Sequence, residues 1–183
     1  MKKKLLNGMV LAILLVLILF AGCSPQKQPS STAADIVTSA SIVNNGDALA
    51  KALSKDGYWL AGVVQDVTSD KELVIEGDFH DKNDPAQPLY RKLALYSQDE
   101  NYKVTDRYLL TAPKLIVKSP NTKIQGGTFI GDVYVEANGF TIQDATVEGN
   151  VYFATQEYMD SFVLPTEEGK VGKVTGSTEV KSQ

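Results

Sequence analysis

The sequence predicts a mainly β chain, a short parallel β-helix with coils of about 18 residues. Three observations predict it. The unit Lys114-Leu115-Ile116-Val117-Lys118 returns as Asp132-Val133-Tyr134-Val135-Glu136 and again as Asn150-Val151-Tyr152-Phe153-Ala154. The remainder of the unit keeps the same phase: Ile124-Gln125 matches Ile142-Gln143, and Thr128-Phe129-Ile130-Gly131 matches Thr146-Val147-Glu148-Gly149. The recurring triplets Leu115-Ile116-Val117, Val133-Tyr134-Val135 and Val151-Tyr152-Phe153 are rich in β-branched and aromatic residues, as strands are. A fixed period of this kind marks one structural unit per repeat, stacked on its neighbours. The rival architecture is an antiparallel sandwich. Parallel pairing between residues one period apart separates the two.

Strand rise is about 3.3 Å per residue, so one period suffices for a small three-sided coil, and stacked strands lie about 4.8 Å apart. Alternation then sets the facing. Leu115, Val117, Val133, Val135, Val151 and Phe153 point inward, as do the pairs Ile124 with Ile142 and Phe129 with Val147. Gly131, Gly149 and Gly176 fall at one corner, where a sharp turn disfavours a Cβ.

The chain begins with Lys2, Lys3 and Lys4, then Leu5-Leu6 and the apolar run Met9–Ala21, the layout of a secretory signal peptide. The run is 13 residues, short of the roughly 17–25 needed to span a bilayer. Counting from Leu5 would admit a membrane anchor, but the segment after Cys23 is polar and lacks a positive flank. Leu19-Phe20-Ala21-Gly22-Cys23 resembles the lipobox of bacterial lipoproteins. That resemblance implies a signal peptide at 1–22, cleavage before Cys23, and a diacylglycerol on the Cys23 thiol. The family usually has Leu where this chain has Phe20. An ordinary thiol after an ordinary signal peptide is the alternative. Residues 23–35 carry two prolines and no large apolar side chain, as a flexible tether does. The domain is expected at 36–183.

Asp47–Ser54 reads as a short helix that caps the stack. Asn45 or Asp47 suits its N-terminus, Gly57 its end, and Leu49 and Leu53 share one face. Tyr58–Val64, with Trp59, reads as strand or buried helix. Leu73-Val74-Ile75 reads as a strand closed by Gly77. Asp78–Pro113 reads as a long irregular stretch. Within it, Tyr90–Tyr96 and Tyr108-Leu109-Leu110 suggest two strands joined by a hairpin-like loop. The clearest coils are 114–153. After an insertion, Gln156–Gly172, a final partial coil follows at 174–180.

Segments 127–135 (GTFIGDVYV) and 145–153 (ATVEGNVYF) resemble the coils of bactofilin-type, polymer-forming β-helix proteins. The resemblance covers residues 114–153 and the partial coil 174–180. It implies a right-handed β-helix and the capacity to polymerise through coil ends. The chain departs from that family in its export signal, its two irregular segments and its small number of coils.

Candidate sites are few. Ile116, Tyr134 and Tyr152 occupy equivalent outward positions and form an exposed ladder, a platform for sugar rings or peptide. The bland alternative is that the insertion, with Phe162, Val163 and Leu164, folds over it. Asp78, His80, Asp81 and Asp84 are the nearest approach to a cation site, but they lack the glycine and final glutamate of an EF-hand. No metal and no cofactor is expected. Glu136, Asp144 and Glu148 could supply a carboxylate pair for glycoside hydrolysis, although outer solenoid faces carry such groups anyway. His80 has no serine and carboxylate placed to complete a triad.

Composition bounds the rest. One cysteine excludes an intrachain disulfide, and a net charge of −4 argues against a nucleic-acid binder. The sequence therefore predicts a non-catalytic structural or binding module. It would be anchored by lipid to the outer face of the cell membrane, with an envelope glycan or protein as partner. The alternatives are a self-assembling scaffold and a carbohydrate-active enzyme.

Overall fold

A computed structural model of the chain describes residues 40–181. The expected signal peptide, the tether and Cys23 lie outside the described residues. What is described is mainly β, built from parallel sheets.

The chain opens with β1 (Ala40–Val43) and α1 (Gly46–Leu53). Asn45 begins the helix: its extended backbone stops helical propagation upstream, and its side-chain oxygen accepts the Ala48 N–H at 2.9 Å. Ser54, not the expected Gly57, ends it by returning its N–H to the Lys51 carbonyl. Leu49, Ala52 and Leu53 are buried against the strands. Strands β2 (Leu60–Val63), β3 (Val67–Thr68) and β4 (Leu73–Ile75) follow. The Trp59 segment is thus resolved as strand.

The stretch expected to be irregular is so only over 78–90; beyond that it is not. It holds β5 (Arg91–Gln98), β6 (Val104–Arg107) and most of β7 (Leu109–Val117). β5 and β6 form an antiparallel hairpin, with Tyr96 opposite Arg107, while β5 and β7 also join the parallel sheets. A hairpin follows Tyr90–Tyr96 as expected, but its second strand is β6, not Tyr108-Leu109-Leu110, of which Leu109 and Leu110 open β7. The parallel membership was not legible, because inserted residues break the period there. The remaining strands are β8 (Thr122–Gly126), β9 (Thr128–Val135), β10 (Thr141–Gln143), β11 (Thr146–Glu148), β12 (Val151–Phe153), β13 (Lys173–Val174) and β14 (Thr178–Val180). A short helix, α2 (Gln156–Asp160), lies between β12 and β13.

The first sheet runs β1-β2-β5-β8-β10. The second joins β3 and β4 to β7, β7 to β9, β9 to β11 and β12, and these to β13 and β14. Every strand pair in both is parallel except β5 with β6, which rules against the antiparallel sandwich. The register follows the sequence repeat. Ile142 pairs with Ile124, Val147 with Phe129, Val151 with Val133, and Phe153 with Val135. Val174 continues on Val147, and Val180 on Phe153.

All ten residues expected to face inward are buried, none more than 1% exposed. Each such side chain taken out of water contributes about 1.5–3 kcal/mol, so these columns are a substantial part of the core. Gly131 has a φ of +141°, and a Cβ there would strike the Ala112 carbonyl oxygen. This backbone approach, one strand to the next, is the physical need behind the recurring corner glycine.

Two groups close the core. One is α1 with Arg91, whose guanidinium is fully buried. It donates to the carbonyls of Glu76 and Ala52, each at 2.8 Å, and of Ser54 at 3.2 Å, and lies 4.0 Å from the Phe79 ring centroid. The other is Phe162, which stacks on Phe140 at 5.7 Å and tilts against Phe153 at 5.3 Å.

Candidate functional site

The three residues singled out as a ligand face are brought together. Ile116 pairs with Tyr134, and Tyr134 with Tyr152, so they form one outward column across β7, β9 and β12. Val74 and Glu179 extend the column at either end. The inward neighbours Leu115, Val117, Val133, Val135, Val151 and Phe153 are buried, whereas Ile116, Tyr134 and Tyr152 are each half-buried. Strand alternation alone dictates this split.

The two tyrosine rings lie 4.9 Å apart between centroids and are tilted by 43°. An offset, tilted arrangement suits the ring quadrupoles better than a flat sandwich. A lysine stands at each end. The Lys114 ammonium is 4.8 Å from the Tyr134 centroid, and that of Lys181 is 4.4 Å from Tyr152. Lys114 is also paired with Glu72 at 2.8 Å, and this hydrogen bond holds its ammonium above the usual lysine range. The face can therefore stack planar or ring-shaped groups and offer positive charge at its rim.

The apolar residues of the insertion expected to cover the ladder are engaged elsewhere. Phe162 is committed to Phe140 and Phe153, and Val163 pairs with Thr141 beside β10 in the other sheet. The expectation of covering rested on the apolar character of 162–164. That character is spent on closing the core and extending the first sheet. The two lysines were missed by sequence reasoning. Lys114 opens the first repeat unit and carried a signal in its spacing from Ile116. Lys181 follows the last strand and carried none.

The acidic candidates are dispersed. Asp78 is exposed; the His80 Nδ1 lies 2.6 Å from the Gln87 carbonyl; Asp81 starts a single 3-10 turn. The Asp84 carboxylate accepts the Ala86 N–H at 2.9 Å and the Gln87 side-chain amide at 3.4 Å. These groups organise the loop, and among the described residues no cluster of three or more His, Cys, Asp or Glu is placed to hold a metal ion. Of the carboxylates considered for hydrolysis, Asp144 is paired with Arg107 at 2.8 Å and Glu136 faces Lys118 at 4.0 Å, while Glu148 is exposed.

Compared with protein-family models, curated proteins and solved structures, the chain matches none. No helix among the described residues is long and apolar enough to cross a membrane.

Proposed function

We propose that the chain is an exported lipoprotein that presents a small right-handed parallel β-helix at the cell envelope as a non-catalytic binding module. Residues 1–22 are its signal peptide, Cys23 carries the lipid, 23–35 form the tether, and 36–183 the domain. The β-helix reading is supported by parallel pairing that repeats every 18 residues across 114–153. Attachment through two or three acyl chains gives stable anchoring where a single chain would not.

The observation that carries the binding function is the half-exposed Tyr134–Tyr152 pair, 4.9 Å apart, with Lys114 and Lys181 at its rim. A half-exposed aromatic pair of this kind, at the surface of a sheet, suits contact with a partner. The partner is an envelope glycan whose sugar rings stack on the tyrosines. Co-sedimentation of the full chain with insoluble peptidoglycan tests this. The parent should pellet with the glycan, and the double variant Tyr134→Ala/Tyr152→Ala should stay in the supernatant while remaining folded. Equal pelleting of both would sink the ladder as the binding face.

A second reading, a self-assembling scaffold, is favoured by the exposed Thr178-Glu179-Val180 edge of β14. A parallel edge left open is a template for another chain. Large oligomers in sedimentation velocity, with no glycan bound, would favour this reading over the first.

A further inference from the structure

The outer face of the first sheet carries a cleft of about 590 Å³, lined among others by Trp59, Asp81, Tyr90, Lys92 and Lys123. Small-molecule sites span roughly 300–1,000 Å³. Its chemistry is unlike that of the tyrosine ladder, which lies on the other sheet.

Lys92 and Lys123 are direct partners in the parallel register of β5 and β8. Like charges set opposite one another across strands are destabilising. Yet neither lysine forms an ion pair with a carboxylate among the described residues. Lys92 donates to the Tyr96 hydroxyl at 2.9 Å, and Lys123 lies 5.5 Å from the Tyr90 centroid. Burial first, and then the Lys92 charge, push the Lys123 ammonium below its usual range, while Asp81 pulls it back. Two partly desolvated cations are thus held side by side, their charge only partly offset.

The aromatic wall completes the site. Trp59 and Tyr90 meet at 5.9 Å with a tilt of 35°. The buried Trp59 indole N–H has no acceptor. The Tyr90 hydroxyl, pushed up to about 12 chiefly by burial, stays a neutral donor at ordinary pH. Tilted rings make an open shelf for a puckered ring, not a slot for a flat base. Asp81 would repel a polyphosphate but can accept hydrogen bonds from sugar hydroxyls.

We infer that this cleft binds an acidic saccharide, its ring resting on Trp59 and Tyr90 and its carboxylate or phosphate between Lys92 and Lys123. The anion relieves the repulsion of the lysine pair, and the aromatic shelf supplies the apolar contact.

Titration calorimetry on the full chain tests this with four probes: a uronic-acid disaccharide, its neutral methyl ester, glucose 6-phosphate and inorganic phosphate. At least one acidic sugar should bind about tenfold or more tightly than both the neutral ester and inorganic phosphate, and more weakly as salt is raised. Whether the uronate or the sugar phosphate binds better identifies the source of the charge. The variant Lys92→Gln/Lys123→Gln should bind that sugar no better than the parent binds the ester. Its unliganded thermal midpoint should be no lower than the parent's, because a like-charge pair has been removed. The single variant Lys123→Gln should fall between. The inference is overturned if neither acidic sugar binds, if the ester or inorganic phosphate binds equally well, or if both lysine variants retain parental affinity.

Discussion

One oxygen of the Asp132 carboxylate accepts both the backbone N–H and the side-chain amide of Asn150, each at 2.9 Å. The Asn150 side-chain oxygen in turn accepts the Ser177 N–H at 2.9 Å. Three successive units are thereby stitched at one corner by residues that the repeat brings into line. Asn150→Ala would remove two of these bonds and leave the Ser177 N–H without its acceptor. Hydrogen bonds to a charged group are worth about 1.5–3 kcal/mol, so we expect a loss of about 2 kcal/mol in urea unfolding. A change below about 0.5 kcal/mol would mean that water replaces the stitch without cost.

The same corner predicts a contrast between glycines. A Cβ on Gly149 would strike the Gly131 carbonyl oxygen, which belongs to the rigid neighbouring strand. Gly169, at φ +75°, has no heavy atom within 4 Å of such a Cβ. Gly149→Ala should therefore cost about 2 kcal/mol or more. Gly169→Ala should cost only the left-handed backbone penalty of about 1–2 kcal/mol. Thermal unfolding of the pair, compared with the parent, reads the difference. A Gly149 variant as stable as the Gly169 variant would contradict the close packing of the units.

Arg91 is the one fully buried charged side chain in the described core. Three carbonyls from the end of α1 and the strand β4 exit offset much of its burial cost, although its buried Nε has no partner, and burial lowers its pKa to about 10, so it remains protonated at neutral pH. Lysine has one compact ammonium and no plane to lay on Phe79. Arg91→Lys should destabilise by about 2–3 kcal/mol, and Arg91→Ala by at least as much. Near-parental stability of Arg91→Lys in denaturant titration would show that charge alone suffices there.

These residues also mark what could be read from the sequence. The inward columns were legible because two periods coincide: alternation decides the face of each strand, and the 18-residue repeat decides which residues stack. Where the repeat is interrupted, that second constraint vanishes. Leu93 and Leu95 are core residues in the same column logic, but their partners Ile124 and Gly126 lie beyond an inserted hairpin. Arg91 was invisible as a core residue because arginine is almost never fully buried unless paired, and its partners are backbone carbonyls that no side-chain pattern encodes. The tyrosine ladder was legible from equivalent repeat positions. That the insertion's apolar residues are engaged elsewhere was not, because the fate of the insertion depends on Phe162 meeting Phe140 and Phe153. The Trp59 cleft joins residues from separate strands and a loop, and only the folded sheet brings them together.

The proposed attachment to a membrane rests on Cys23. Metabolic labelling with a fatty acid, followed by mass measurement of the membrane-extracted N-terminal peptide, tests that most directly. We expect a mature chain that begins at Cys23 and carries a diacylglycerol on its thiol, with Cys23→Ser unlabelled and released from the membrane fraction. A mature chain that retains residues 1–22, or an unmodified Cys23 thiol, would contradict it.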